Sequence, residues 1–279
     1  MDHCAFHNCG GAALESDTLA APDTFDNSTP WKFYNHLIAQ IPEGIRVTDY
    51  CLGQDWCYVD ADCGMGMSHV IPGGGAPTFG GDPRDFELHE LAQLVKSWRF
   101  TEASIGVAAI NAWYSQLDKL DALGAFFDGE HTGHDNLGDP FNADAIPYAG
   151  KKVAMVGHFP AVSRMREICE LTVLERSCNS PDDVPDPACE YVIPSQDMLY
   201  LTGTTIINKT APRLLDLARD AYVVMVGPST VPSPFLFKWG VDVLGGSVVV
   251  DRENAKMAIK GGSKDVFRAG IKKFLLKAE

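Results

Sequence analysis

Three stretches decide how this chain folds: KKVAMVGHFP at residues 151–160, DMLYLTGTTI at 197–206 and YVVMVGPST at 222–230. Each is a short continuous apolar run that breaks at a glycine. Strands buried on both faces read this way, without the polar–apolar alternation of a half-exposed sheet. Helical spacing follows the first run through about Cys169 and returns at 211–218. Strands alternating with helices call for a mostly parallel sheet covered on both sides. Residues 151–279 are therefore read as a Rossmann-like domain, with further strands at 171–174, closed by Glu175, and at 241–244 and 247–250. A Pro- and Asp-rich loop leads to an apolar stretch at 191–193. Asp251 is placed to cap one helix and Ser263 a last one, whose Val266, Ile271, Phe274 and Leu275 face inward.

Working outward, residues 124–150 lose periodicity and are read as the connection to a preceding domain, folded over one of its neighbours. Its His131, His134 and Asp135 are a possible divalent set without evident geometry. Residues 29–123 read as a small α+β domain. Thr29 and Pro30 open a helix with a Phe33, Leu37, Ile38 and Ile41 stripe. Short strands follow at 46–53, 56–61 and 65–71, as in an antiparallel meander, then a glycine-rich loop at 72–77. Two helices come next, one with Phe86, Leu91, Leu94, Val95 and Trp98 on a side. The other is rich in small residues and carries a single amide, Asn111. Residues 1–28 read as a loosely held arm.

Composition limits the function. Lys and Arg number 23 against 37 Asp and Glu, a formal charge of −14, which argues against gripping nucleic-acid phosphates. The basic residues from Lys256 to Lys277 read as the solvated face of terminal helices. No run of apolar residues is long enough to span a membrane, and the first residues lack the basic and apolar regions of a secretion signal. The cytoplasm is the expected compartment, with most of the eight cysteines reduced. Whether the chain forms a homo-oligomer is left open.

For chemistry, the strand-end loops at 202–210 and 227–230 stand out. Ligands of open parallel sheets sit beyond the carboxyl ends of the strands, where glycine admits close backbone approach and hydroxyls donate hydrogen bonds. The same loops also admit a structural explanation, with Asn208 and Thr210 capping a helix and Pro228 shaping a turn. No GxGxxG fingerprint follows the first strand. Glu175, 18 residues after Gly157, does stand where an acidic group would meet a ribose. Cys4, His7 and Cys9 have metal-ligand spacing, whereas Cys51, Cys57 and Cys63 read as free core thiols.

The blocks at 103–112, 201–210 (LTGTTIINKT), 227–237 (GPSTVPSPFLF) and 240–251 (GVDVLGGSVVVD) resemble the prokaryotic family of heavy-metal chelation proteins. The resemblance implies an enolase N-terminal-like domain followed by a Rossmann-like domain, with a site in the cleft between them. On matching positions it points to Asn111, Gly203, Thr204, Asn208, Thr210, Gly227, Pro228, Ser229 and Thr230. Hydroxyls and amides suit an anionic molecule, or a metal already chelated, better than a bare soft metal. The expectation is a binding protein or enzyme for a small anionic metabolite or metal chelate, with a divalent or heavy metal as the open cofactor question. Lys209, Glu175 and His158 are the groups near the loops able to move protons. Two other readings stand beside it. One is a nucleotide- or S-adenosylmethionine-dependent transferase using Glu175. The other is a metal storage or delivery protein using Cys4, His7 and Cys9.

Overall fold

The computed structural model describes residues 30–128, 138–263 and 265–278. The expected Cys4, His7 and Cys9 set and the His131, His134 and Asp135 set lie outside them.

The chain enters on helix α1 (Lys32–Ile38), whose Phe33, Tyr34, Leu37 and Ile38 are buried. Strands β1 (Val47–Leu52), β2 (Trp56–Ala61) and β3 (Met65–His69) form an antiparallel three-stranded sheet in that order. Helix α2 (Leu88–Ala92) passes into a 3-10 turn, and then α3 (Phe100–Tyr114) crosses the sheet. Nearly every side of α3 is buried, because its sequence is apolar all round rather than striped. Small residues let it approach closely on two sides. A β-carbon on Gly106 would lie 2.0 Å from the Val95 amide nitrogen, and one on Gly66 of β3 would lie 2.1 Å from that of Ala112. Trp98, expected inward, lies beyond the helical residues and is 60% exposed. Helix α4 (Leu117–Ala122) follows.

An eight-stranded sheet occupies the rest. Its strands are β4 (Phe126–Phe127), β5 (Lys152–Val156), β6 (Glu170–Glu175), β7 (Asp183–Pro185), β8 (Met198–Thr202), β9 (Tyr222–Val226), β10 (Val243–Val249) and β11 (Ile271–Lys277). They lie in the order β4-β11-β10-β9-β8-β5-β6-β7, and β7 through β10 form a parallel set. The chain winds outward from β5 through β6 to β7, returns to β8 on the other side of β5, and winds out again to β10. The order reverses between β5 and β8. Short helices α5 (Val162–Arg166), α6 (Cys189–Val192), α7 (Thr204–Ile207) and α8 (Ala211–Leu217) and the longer α9 (Arg252–Lys260) connect the strands. The mixed α/β class, with a small antiparallel sheet before a mostly parallel one, is as the sequence indicates. Among the described residues, no helix is long and apolar enough to cross a membrane.

Four local expectations are corrected. The last helix is strand β11, antiparallel to β10. Left-handed Gly270 (φ 76°) precedes it, and the adjoining Phe274, Leu275 and Leu276 are all buried, which fits a strand in a covered sheet. The two strands expected at 241–250 are one, β10, in which Gly246 leaves room for the Phe274 ring 2.4 Å from where its β-carbon would stand. Residues 191–193 are helical and 3-10, whereas the Pro- and Asp-rich loop supplies β7. Lys256 on α9 is not part of a solvated face, its side chain being 17% exposed, while Lys260 keeps about half of its own in solvent. They reach carboxylates of the small sheet, Lys256 to Asp60 at 2.8 Å and Lys260 to Asp49 at 2.9 Å.

The connecting segment does fold over the large sheet. Its Phe141 stacks on Tyr200 at 5.4 Å, the Tyr200 hydroxyl donates to the Pro140 carbonyl at 3.0 Å, and Ile146 and Tyr148 are buried with Val153 and Met155. Cys57 is buried and Cys51 and Cys63 half-buried, all three as free thiols.

Candidate functional site

Three strands of the parallel set end in glycines: Gly157 after β5, Gly203 after β8 and Gly227 after β9. Gly157 (φ 101°) and Gly227 (φ 114°) adopt left-handed conformations that turn the chain sharply at the sheet rim. Gly203 serves proximity instead, since a β-carbon there would lie 2.4 Å from the Thr230 amide nitrogen. The threonine–glycine and proline–serine loops are thus in backbone contact, and the Gly203 N–H donates to the Val226 carbonyl at 2.8 Å.

Beside them opens a cleft of about 210 Å³. Residues 158–159 and 202–204 flank it from the two strands between which the order reverses, where open sheets hold ligands. Its wall combines Thr202, Gly203 and Thr204 with Gly227, Pro228 and Ser229, and His158 and Phe159 close one side. Trp56 and His69 come from the small sheet.

Two side chains tie the small sheet to this rim. Asn111, buried in α3, donates from Nδ2 to the carbonyls of Met67 (3.0 Å) and Pro228 (3.2 Å). The Ser229 hydroxyl accepts the His69 backbone N–H at 2.9 Å. Asn111 Oδ1 and the hydroxyl of Thr230 are buried without a hydrogen-bond partner. Buried polar groups are usually paired, so each unpaired one calls for an explanation.

Of the residues singled out in the sequence, Gly203, Thr204, Gly227, Pro228 and Ser229 line the cleft, and Asn111 and Thr230 stand directly behind it. Asn208 and Thr210 do not line it. Asn208 Oδ1 accepts both the backbone N–H (3.1 Å) and the hydroxyl (2.6 Å) of Thr210, forming a local turn. Glu175 does not line it either, and accepts the N–H of its neighbour Arg176 at 3.1 Å. Lys209 turns away as well. In a left-handed conformation (φ 68°), its ammonium donates to the carbonyls of Ser97 and Ile207, and burial lowers its pKa to about 8, opposed by nearby Glu102. His158 alone of the three proton-moving groups faces the cleft.

Trp56, His69 and Phe159 are lining residues that the sequence did not single out, while Thr202 opens the 202–210 loop that it did. Phe159 adjoins His158 and was within reach. His69 ends a strand of another sheet, and nothing local marks it.

His69 is oriented through Nδ1, and His158 turns its Nδ1 toward a carboxylate. His69 Nδ1 lies 2.5 Å from the Asp55 carbonyl oxygen, and because a carbonyl only accepts, Nδ1 carries the proton. His158 Nδ1 faces Asp183 Oδ1 at 3.6 Å. The Asp183 side chain is only 1% exposed. Backbone N–H groups of Ser180 and Asn179 on its other oxygen, with His158 beside it, hold its pKa below the usual carboxylate range. Among the described residues, no group of three or more His, Cys, Asp or Glu is disposed to hold a metal ion.

The chain matches two family models, both described as "Putative heavy-metal chelation": DUF4213 over residues 34–114 and DUF364 over residues 140–275. An uncharacterized protein of Methanocaldococcus jannaschii is 32% identical over 200 residues, 69% of this chain and 72% of that one. The chain belongs to the DUF364 family. A crystal structure of a DUF364 protein of unknown function from Desulfitobacterium hafniense superposes with a TM-score of 0.78 at 34% identity, covering 89% of this chain and 98% of the other. A second DUF364 structure, from Pyrococcus horikoshii, has a TM-score of 0.69 at 23% identity over the same shares and speaks for the fold alone.

Proposed function

We propose that this DUF364 protein binds a small anionic metabolite or a metal chelate in the cleft above the Rossmann-like sheet. One observation carries the reading: loops from three parallel strands and two aromatic residues of the small sheet converge where the strand order reverses. Backbone at Gly203 and Gly227 admits close approach, hydroxyls of Thr202, Thr204 and Ser229 offer hydrogen bonds, and the imidazoles add nitrogen donors. The cleft volume of about 210 Å³ falls below the roughly 300–1,000 Å³ of drug-sized sites, which favours a compact ligand. A nucleotide or S-adenosylmethionine gains no support from Glu175, whose carboxylate serves its own neighbour.

The heavy-metal label of the family fits the donor set in part. No thiol lines the cleft, so a soft thiophilic ion lacks its preferred ligand there, whereas imidazole suits first-row metals such as copper, nickel and zinc. Two imidazoles without a third protein ligand match a metal that brings its own chelator.

Native mass spectrometry of gently purified protein tests the reading. The parent chain is expected to carry a small-molecule mass surplus. Thr204→Trp, which fills the cleft, loses it, and Asn208→Ala, whose oxygen is occupied in a local turn, keeps it. Undiminished surplus in Thr204→Trp would overturn the proposed location.

A further inference from the structure

His69 is held more firmly than hydrogen bonding to an anion requires, and His158 turns one ring nitrogen toward a carboxylate. Both line one small cleft, yet they come from different sheets. His69 is held from three directions: its Nδ1 by the Asp55 carbonyl, its backbone N–H by Ser229 and its ring against Trp56 at 5.1 Å between centroids. The proton on Nδ1 leaves Nε2 with its lone pair as the free ring nitrogen. His158 turns Nδ1 toward an enclosed carboxylate whose Oδ1 has no hydrogen-bond donor. Burying a carboxylate oxygen without a donor is costly, and the imidazole N–H facing it is the group that can supply one. Fixing a histidine through its second nitrogen on a carbonyl or carboxylate is how proteins prepare imidazole for a metal.

We propose that His69 and His158 form a two-imidazole anchor for a first-row transition metal that enters the cleft already held by an organic chelator. The inference rests on the cleft being the binding site proposed above and names the chemistry of its ligand. With no third His, Cys, Asp or Glu disposed to join them among the described residues, the remaining coordination positions belong to the chelator. The hydroxyls of Thr202, Thr204 and Ser229 then meet the chelator's anionic oxygens rather than the metal. Asp183 acts as a positioning residue: when His158 takes the metal through Nε2, its Nδ1–H closes on Oδ1, and the carboxylate strengthens the imidazole as a donor.

The probe is nickel(II) nitrilotriacetate, which leaves two adjacent coordination positions open for imidazole, titrated calorimetrically into the full-length protein. One equivalent is expected to bind. His158→Ala and Asp183→Asn should each weaken it by about 10-fold or more, and His69→Ala with His158→Ala together should abolish it. A chain carrying Cys4→Ser, His7→Ala and Cys9→Ser should bind as the parent does. Equal affinity in parent and double-histidine variant overturns the anchor, as does loss of binding in the arm variant alone. Because His158 is half-exposed, His158→Ala and Asp183→Asn carry the test if His69→Ala fails to fold. Either failure leaves the cleft reading intact, since that reading falls only if Thr204→Trp retains the small molecule.

Discussion

The small sheet meets the large one along two seams of opposite character. On the α9 side the seam is charged: Asp60, with a side chain 6% exposed, takes Arg252 at 3.0 Å and Lys256 at 2.8 Å, and Asp49 accepts from the Tyr58 hydroxyl at 2.7 Å and from Lys260. On the cleft side the seam is neutral, made of Asn111 to Pro228 and His69 to Ser229. The charged seam leaves no carboxylate oxygen of Asp60 without a cation. The neutral one leaves Asn111 Oδ1 and Thr230 Oγ1 without partners beside an opening. A seam that only fastens satisfies its groups, because unpaired buried polar atoms cost stability. The cleft seam keeps such atoms next to the opening where we propose a ligand sits.

Breaking the charged seam should therefore cost stability and spare binding. Asp60→Ala strands Lys256 and Arg252, and removing one partner of an enclosed ion pair costs about 3 kcal/mol, toward the low end because Arg252 is partly solvated. Chemical denaturation is expected to show that loss, while the folded fraction keeps the small-molecule mass surplus in native spectra. A variant that loses the surplus in step with stability would erase the distinction between the seams.

The neutral seam should respond the other way. Asn111→Ala removes two hydrogen bonds and leaves the Met67 and Pro228 carbonyls unpaired, a cost of about 2 kcal/mol. Since Pro228 lines the cleft, the surplus should drop sharply in the fully folded variant, measured below its unfolding transition. Retention equal to that of Asp60→Ala would make Asn111 a fastener like the others.

What was readable in the sequence follows the same division between local and assembled features. Strands β5, β8 and β9 were legible because each is an unbroken apolar run stopped by a glycine, and the glycine–threonine and proline–serine loops came with them. Strand β11 was not. Its Phe274, Leu275 and Leu276 are flanked by Lys272, Lys273 and Lys277, a pattern that fits a helix stripe until β10 pairs with it. Strand β7, three residues ending in proline, carries no periodicity. At the site, Gly203, Gly227 and Ser229 announced themselves through composition. His69 could not, since it becomes a cleft residue only when α3 and Ser229 dock the small sheet against the rim. Asn208, Glu175 and Lys209 show the converse: sound chemistry in the sequence, taken up locally once the chain folds.

Lys209 makes a third contact across the two halves, and it sharpens the comparison because it carries charge without a carboxylate contact. Its ammonium donates to the Ser97 and Ile207 carbonyls, and burial moves its pKa from 10.5 to about 8. A lysine with a lowered native pKa weakens the fold while both states are charged, below about pH 8. Between pH 8 and 10.5 the unfolded chain binds a proton that the native one does not, so this group's contribution to stability rises with pH and then levels off. Lys209→Met removes that dependence. Its stability relative to the parent should be highest near pH 7 and decline by about 1–2 kcal/mol as pH rises to 10.5, the solvent-exposed part of the side chain reducing the full linkage value. Comparing the two chains cancels the tyrosines and cysteines that also titrate there. A difference constant across pH 7–10.5 would place Lys209 with the satisfied, charged fastenings of the α9 seam.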